Sequence, residues 1–185
     1  QPSPLKIAAL AHGIPVLQPE RVGDPGFAVA LASCGASLGV VAAYGKILPA
    51  TILPPPPHGT TSVHASLLPR YRGAAPGHRA IIAGERETGV TMIRLVREMD
   101  AGPMLARVVR SIADDETSDV VDRALAELGA RLLVSTVRDI AAERATEQPQ
   151  DHALATLAPP LTTEDGRLDW TRPARAIHNL VRGLY

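Results

Sequence analysis

A histidine and a distant carboxylate are the residues of this chain whose types and spacing best suit chemistry. His64 lies in the segment 62–73, Ser-Val-His-Ala-Ser-Leu-Leu-Pro-Arg-Tyr-Arg-Gly, and Asp100 follows later in the chain. Acyl transfer to an amine needs a base that accepts the amine proton, and a cation or donor that stabilises the developing oxyanion. We therefore select His64 and Asp100 as candidate catalytic residues.

The predicted strands place these two residues close together. Leu38–Ala43 is a continuous apolar run, typical of a parallel strand that is buried on both faces. Thr60–Ala65 is the next predicted strand and has His64 at its carboxyl end, where ligands gather in open α/β sheets. Val90–Val96 is a further strand, and Asp100 lies in the turn beyond it. We expect both side chains at the same, carboxyl, end of the sheet.

Strands and helices alternate along the chain, which predicts the α/β class with a mostly parallel sheet. Pro76–Ala83 is predicted as a helix because Pro begins it and Gly84 follows it. The clearest helix covers about Thr117–Arg144, with apolar residues on one face at helical spacing. The polar segment Thr146–Gln150 contains a proline and is predicted as a linker.

Composition excludes several classes of protein. The chain has 185 residues, 45% of them apolar and 21% charged, with a formal net charge of zero. Zero net charge argues against a chain built mainly to hold polyanions. No apolar run approaches the ~20 residues of a membrane span. A lone cysteine, Cys34, suits a reducing cytosol and predicts a cytoplasmic protein.

The segment 62–73 together with Asp100 resembles the signature of the folate-dependent formyltransferases, in which Asn-x-His-x-Ser-Leu-Leu-Pro precedes a distant Asp. The continuation 73–91 is most similar to the branch of that family that acts on methionyl initiator transfer RNA. The resemblance implies a Rossmann-like, mostly parallel catalytic domain over 1–145 that is incomplete at its N-terminus. It implies a linker and the beginning of a barrel-like C-terminal domain over 146–185, including Trp170.

The resemblance also implies a function in translation initiation. The enzyme would transfer a formyl group from 10-formyltetrahydrofolate to the amino group of methionyl initiator tRNA. Protonated His64 would stabilise the oxyanion beside Ser62, and Asp100 would hold the imidazole and help take the amine proton. No metal is implied, because the chain has no Cys/His ligand spacing. The residues implied to contact folate are Tyr44, Gly45, Lys46, Ile47, Leu48, Ser66, Leu67, Leu68, Pro69, Val96 and Met99.

The chain departs from the family pattern in three places. Ser62 stands where the family has a catalytic Asn, whose amide donates to the formyl oxygen. The family's opening strand, with its basic insertion, and most of the second domain are not in this sequence. Leu38–Ala43 would then lie at an uncovered sheet edge, so we expect self-association through that edge.

Three alternatives remain open. A sugar-amine N-formyltransferase shares the same core residues, although Gly73–Pro76 and Trp170 favour the transfer-RNA enzyme. A catalytically silent folate- or RNA-binding module is suggested by Ser62 and the absent segments, and a non-functional fragment is the third. Arg70, Arg72 and Arg79 are clustered, which predicts either a solvated loop or a patch for an RNA phosphate or a folate glutamate tail.

Overall fold

The computed structural model describes residues 2–45, 48–49 and 56–185. In these ranges the α-helices are α1 Pro4–Ala11, α2 Pro25–Ser33, α3 Pro76–Ala83, α4 Ser118–Ala141 and α5 Ala174–Gly183. The strands are β1 Gly39–Ala42, β2 Thr60–His64, β3 Arg72–Gly73, β4 Glu87–Arg94, β5 Met104–Ser111 and β6 Leu157–Ala158. Short 3₁₀ helices cover His152–Leu154 and Thr163–Gly166.

The main sheet has the order β1-β2-β4-β5. Strand β1 runs parallel to β2, whereas β4 is antiparallel to both β2 and β5. The α/β class predicted from the sequence is confirmed, and the strand directions are more mixed than the mostly parallel sheet we expected. The connection 95–103 between β4 and β5 contains no helix and is too short for a parallel crossover, so β5 must return antiparallel.

Helix α4 covers one face of this sheet, and its predicted position is confirmed. Val121 and Leu125 of α4 are buried against Val90 of β4, and Val63 of β2 packs against the same cluster. The helix approaches so closely that a Cβ added at Gly129 would lie 3.2 Å from Val63. Successive side chains of a strand point to opposite faces, so the neighbours of Val63 on β2 lie on the face away from α4.

The sequence also favours short strands over Pro15–Pro19, between two prolines, and over Leu168–Trp170, and neither strand forms. Pro15–Pro19 is irregular, and so is Leu168–Trp170. The two prolines of the first segment have no N–H to donate to a neighbouring strand, which disfavours pairing there. Helices α1 and α2 on either side of it contain no buried residue. No helix in the described ranges is long and apolar enough to cross a membrane.

The chain beyond α4 returns to the loop that follows β2. Strand β6 pairs with β3 in parallel, with Arg72 opposite Leu157 and Gly73 opposite Ala158. The N–H of Arg72 donates to the carbonyl of Thr156 at 2.8 Å, and that of Ala74 to Ala158 at 2.9 Å. Thr146–Gln150, which the sequence predicts as a linker, is therefore followed by residues 156–158, whose backbone and side chains are hydrogen-bonded to residues 71–74.

Candidate active site

His64 and Asp100 lie next to each other. Nδ1 of His64 is 3.5 Å from Oδ2 of Asp100, and the exposed fractions of the two side chains are 7% and 19%. The two residues do not meet as we expected, with each lying beyond the carboxyl end of a parallel strand. Because β4 is antiparallel to β2, the connection after β4 begins beside Thr60, where the N–H of Leu95 donates to the Thr60 carbonyl at 2.8 Å. It then folds back to bring Asp100 to the level of His64.

The second ring nitrogen of His64 also has an oxygen partner. Nε2 lies 2.9 Å from the backbone carbonyl of Tyr71. A carbonyl only accepts, so Nε2 must carry the proton of this hydrogen bond. In the neutral ring Nδ1 would then point a lone pair at the Asp100 carboxylate. A positive charge on the ring would instead lie beside that carboxylate, 3.5 Å from Nδ1.

Asp100 is held in a defined orientation by the loop that follows β2. The backbone N–H of Gly73 donates to Oδ2 of Asp100 at 2.9 Å, the same oxygen that faces His64. Asp100 itself has a φ of +51°, a left-handed conformation that is uncommon for residues other than glycine. Sequence reasoning missed Tyr71 and Gly73, because both act through backbone atoms that no side-chain pattern reveals.

Ser62 lies on the same side of the sheet as His64. The two residues are separated by one position on β2, so their side chains share the face away from α4. Ser62 is 8% exposed, and its sheet neighbours are Val41 and Ile93. Ser62 therefore presents its side chain on the face of β2 that carries the His64 ring.

The loop Ser66–Pro69, which the resemblance implies for folate contact, is partly turned into the protein. Ser66 Oγ donates to the carbonyl of Arg70 at 2.7 Å, and Leu68 is 1% exposed. The side chain of Thr91 on β4 is hydrogen-bonded to the backbone of this loop at two positions. Its hydroxyl donates to the carbonyl of Ser66 at 2.7 Å and accepts from the N–H of Leu68 at 3.2 Å. Ser66 and Leu68 thus shape the loop, and Leu67 and Pro69 are only half-buried.

The other residues implied for folate contact are more accessible. Tyr44, Val96 and Met99 are 43%, 44% and 61% exposed. Gly45 is exposed with a φ of +67°, and Leu48 is half-buried. Lys46 and Ile47 lie outside the described residues.

An open cleft of about 430 Å³ lies elsewhere, between β5 and α4, and none of the candidate site residues lines it. Among the residues that the structure describes, no group of three or more His, Cys, Asp or Glu could hold a metal ion.

The three clustered arginines each have a partner within the protein, and Arg70 is also half exposed to solvent. Arg70 pairs with Glu85, and Arg72 is buried with its guanidinium against Gln150. Arg79 binds Asp165 through both carboxylate oxygens, at 2.6 and 3.1 Å. Each guanidinium therefore has a protein partner, because the fold brings later segments of the chain onto this loop.

The same cluster holds Tyr71, whose carbonyl faces His64. The hydroxyl of Tyr71 donates to Glu85 at 2.7 Å. Burial, reinforced by this hydrogen bond, raises the pKa of Tyr71 to about 12. The phenol therefore stays protonated and keeps donating at neutral pH.

Comparison with known proteins shows which family has a similar sequence. The family model described as Formyl transferase matches residues 2–137, and the model described as Formyl transferase, C-terminal domain matches residues 160–185. A protein named methionyl-tRNA formyltransferase from Nitratidesulfovibrio vulgaris (strain DP4) is 48% identical over 184 residues, which is 100% of this chain and 56% of the relative. The chain thus spans little more than half the length of that relative.

Two solved structures share the fold. A sugar N-formyltransferase from Shewanella sp. FDAARGOS_354 superposes with a TM-score of 0.76 at 18% identity, covering 96% of this chain and 70% of the other. HypX from Aquifex aeolicus, solved in complex with tetrahydrofolic acid, gives a TM-score of 0.71 at 19% identity, covering 86% and 28%. At such identities the likeness concerns the fold alone. The family model, which matches most of the chain, shows that this chain belongs to the formyl transferase family.

Proposed function

We propose that the protein containing this chain is a formyltransferase that transfers a formyl group from 10-formyltetrahydrofolate to the amino group of methionyl initiator tRNA. The observation that carries the proposal is the paired His64 and Asp100, with Ser62 on the same face of β2 as His64. This set can supply a positive charge, a proton acceptor and a hydrogen-bond donor, which are the groups that acyl transfer to an amine needs.

Each residue has a separate role in the proposed reaction. As the amine nitrogen bonds to the formyl carbon, negative charge develops on the formyl oxygen. When the carbonyl re-forms, the bond between the formyl carbon and N10 of the folate breaks, and N10 leaves with the proton that the amine has lost. Ser62 donates a hydrogen bond to that oxygen, and the imidazolium of His64 stabilises it through charge, because both ring nitrogens already face Tyr71 and Asp100. Asp100 uses Oδ2 for Gly73 and His64, so Oδ1 takes the proton that the amine loses, directly or through one water.

The formyl donor proposed is a folate. Val96 and Met99 lie on the same connection as Asp100, and both are exposed apolar side chains. An exposed apolar surface beside charged groups suits one face of a flat ring system such as a pteridine. The tetrahydrofolic acid named in the HypX structure supports the same class of ligand. When bound, 10-formyltetrahydrofolate would supply the activated formyl group.

The acceptor proposed is methionyl initiator tRNA, because the relative that carries this activity in its name is 48% identical along the whole chain. We propose that residues 1–145 belong to the catalytic domain. Residues 146–185 would then form a linker and the beginning of a C-terminal domain, in agreement with the second family match. A cytoplasmic location follows from this proposal, since charged initiator tRNA is used there.

A sugar-amine acceptor is the second candidate, favoured by the fold similarity to a sugar N-formyltransferase. The low identity to that protein makes it the weaker alternative. A silent binding module is the third, and it depends on Ser62 being unable to replace the family's Asn.

One assay separates these candidates. The complete gene product that carries this chain is incubated with labelled 10-formyltetrahydrofolate and either methionyl initiator tRNA or a nucleotide-linked amino sugar. We expect label on the methionyl amine and none on the sugar. His64→Ala should abolish transfer, and exposed His12→Ala should leave it unchanged. Label on the sugar alone would overturn the acceptor. Folate binding without transfer to either acceptor would indicate a silent module.

A further inference from the structure

Gln150 is a buried residue whose amide joins two parts of the candidate active site. It is 5% exposed. Its Oε1 accepts from Arg72 at 2.6 Å from Nη2 and 3.2 Å from Nε. Its Nε2 donates to the backbone carbonyls of Asp100 at 2.8 Å and Gly102 at 2.7 Å. A guanidinium cannot accept and a carbonyl cannot donate, so these partners fix which way the amide points.

The two carbonyls bound by Gln150 belong to Asp100 itself and to Gly102, just after the turn that presents Asp100. Asp100 adopts a φ of +51°, and left-handed residues other than glycine persist only where their surroundings hold them. Gln150 anchors the backbone at Asp100 itself and again at Gly102, two residues later. The direction of the Asp100 carboxylate toward His64 therefore depends on backbone that this amide restrains.

Through Arg72, Gln150 also contacts the loop that follows β2, which holds the other groups that orient His64 and Asp100. Arg72 is buried, and it stands between Tyr71, whose carbonyl binds His64, and Gly73, whose N–H binds Asp100. Gln150 holds the guanidinium of Arg72, so one side chain links the backbone at Asp100 to the residue that lies between Tyr71 and Gly73.

We propose that Gln150 is a positioning residue that aligns Asp100 with His64 through this network. The proposal rests on the proposed function, because the pair it aligns is the one assigned to formyl transfer. Gln150 itself touches no reacting atom. Its contribution should therefore appear in the chemical step and in the environment of His64, and not in the affinity for either substrate.

The test uses Gln150→Glu in the complete gene product. This change keeps the side-chain shape and the oxygen that Arg72 binds, but it replaces the donor facing Asp100 and Gly102 by an acceptor. The matched control is Gln148→Glu, the same chemical change at an exposed side chain two residues away. We expect kcat to fall about 10²-fold for Gln150→Glu with KM unchanged, because displacing a catalytic group by about 1 Å has an effect of that size. The control should match the unmodified enzyme.

A second measurement does not depend on activity. The ¹⁵N resonances of the His64 ring report its protonation and its partner on each nitrogen. They should shift in Gln150→Glu and stay unchanged in Gln148→Glu. If the unmodified enzyme transfers no formyl group, the proposed function is wrong. The His64 spectrum would still test whether Gln150 aligns Asp100 with His64. Identical His64 resonances in both variants would overturn the positioning role.

Gln150→Met is a second variant for the case that Gln150→Glu does not fold. It introduces no buried charge and also lacks the donor. It should show the same loss in kcat and the same shifted His64 resonances while its circular dichroism matches that of the unmodified enzyme. If both Gln150 variants lose cooperative unfolding, the residue is structural and the proposal is wrong.

Discussion

The backbone carbonyl of Tyr71 accepts the Nε2 proton of His64 at 2.9 Å. This contact leaves Nδ1 as the nitrogen that faces Asp100, 3.5 Å away. The imidazole is therefore held between a carbonyl and a carboxylate, and its tautomer is set by the loop that follows β2.

Asp100→Asn should reduce the rate of formyl transfer by about 10²–10⁴-fold, the usual contribution of a positioned acid–base group. The amide removes the negative charge beside His64 and the group that accepts the amine proton. Folate affinity should hardly change. Single-turnover transfer measures the rate, and calorimetric titration measures the affinity. Exposed Asp115→Asn is the control. A rate equal to that of the unmodified enzyme would exclude Asp100 from the chemistry.

Ser62→Asn should raise formyl transfer by about 10²-fold, the typical value of one oxyanion donor. The serine hydroxyl is short and its rotor is free, whereas an amide places a fixed donor on the same face as His64. His64→Ala in the same background should remove the gain, and Ser62→Ala should transfer more slowly than the unmodified enzyme. Equal rates for the unmodified enzyme and its Ser62→Asn variant would refute the oxyanion argument.

Gly73→Ala should destabilise the protein by about 1–3 kcal/mol and slow transfer as well. The added Cβ would lie 2.6 Å from the carbonyl oxygen of Ala158, and the φ of +126° at this position disfavours any L side chain. Urea unfolding measures the change. Gly23→Ala is the control, because no atom lies within 4 Å of its added Cβ. Equal midpoints for the two variants would contradict the close approach of β3 and β6.

The phenol of Tyr71 should lose its proton at a higher pH than that of an ordinary tyrosine. Its pKa is raised from 10.0 to about 12, first by burial and then by the hydrogen bond to Glu85. Because the folded state holds the proton more tightly, its contribution to stability is present below about pH 10 and is lost as pH rises through about 12. Tyrosinate absorbance should show a late step that Tyr71→Phe removes. A titration of all tyrosines near pH 10 would contradict this environment.

The 185-residue polypeptide by itself should self-associate. Strand β1 pairs only with β2 among the described residues, and its Val40 is 44% exposed. An apolar edge with unpaired backbone groups is a template for association. Sedimentation velocity at increasing concentration should show larger species. Val40→Lys should reduce them, whereas Val134→Lys on α4 should not. A concentration-independent monomer would contradict the expectation.

The sequence alone determined most of the elements and the identity of the candidate chemical pair. Pro76–Ala83 is α3 as predicted, and α4, β1, β2 and β4 each lie within a few residues of their expected bounds. These predictions succeeded because apolar periodicity, Pro at helix starts and Gly after helix ends are local signals. The motif around His64 pointed to Asp100 by resemblance, and the family is now shown.

Only the tertiary structure decided how that pair is held. The antiparallel direction of β4 and the return of the connection 95–103 set the approach of Asp100 to His64, and neither follows from local pattern. The groups that orient the pair are the Tyr71 carbonyl and the Gly73 N–H, with the amide of Gln150 behind them. Backbone groups are the same in every residue, and Gln150 comes from a distant segment. Their roles therefore depend on long-range packing, which the order of residue types does not encode locally.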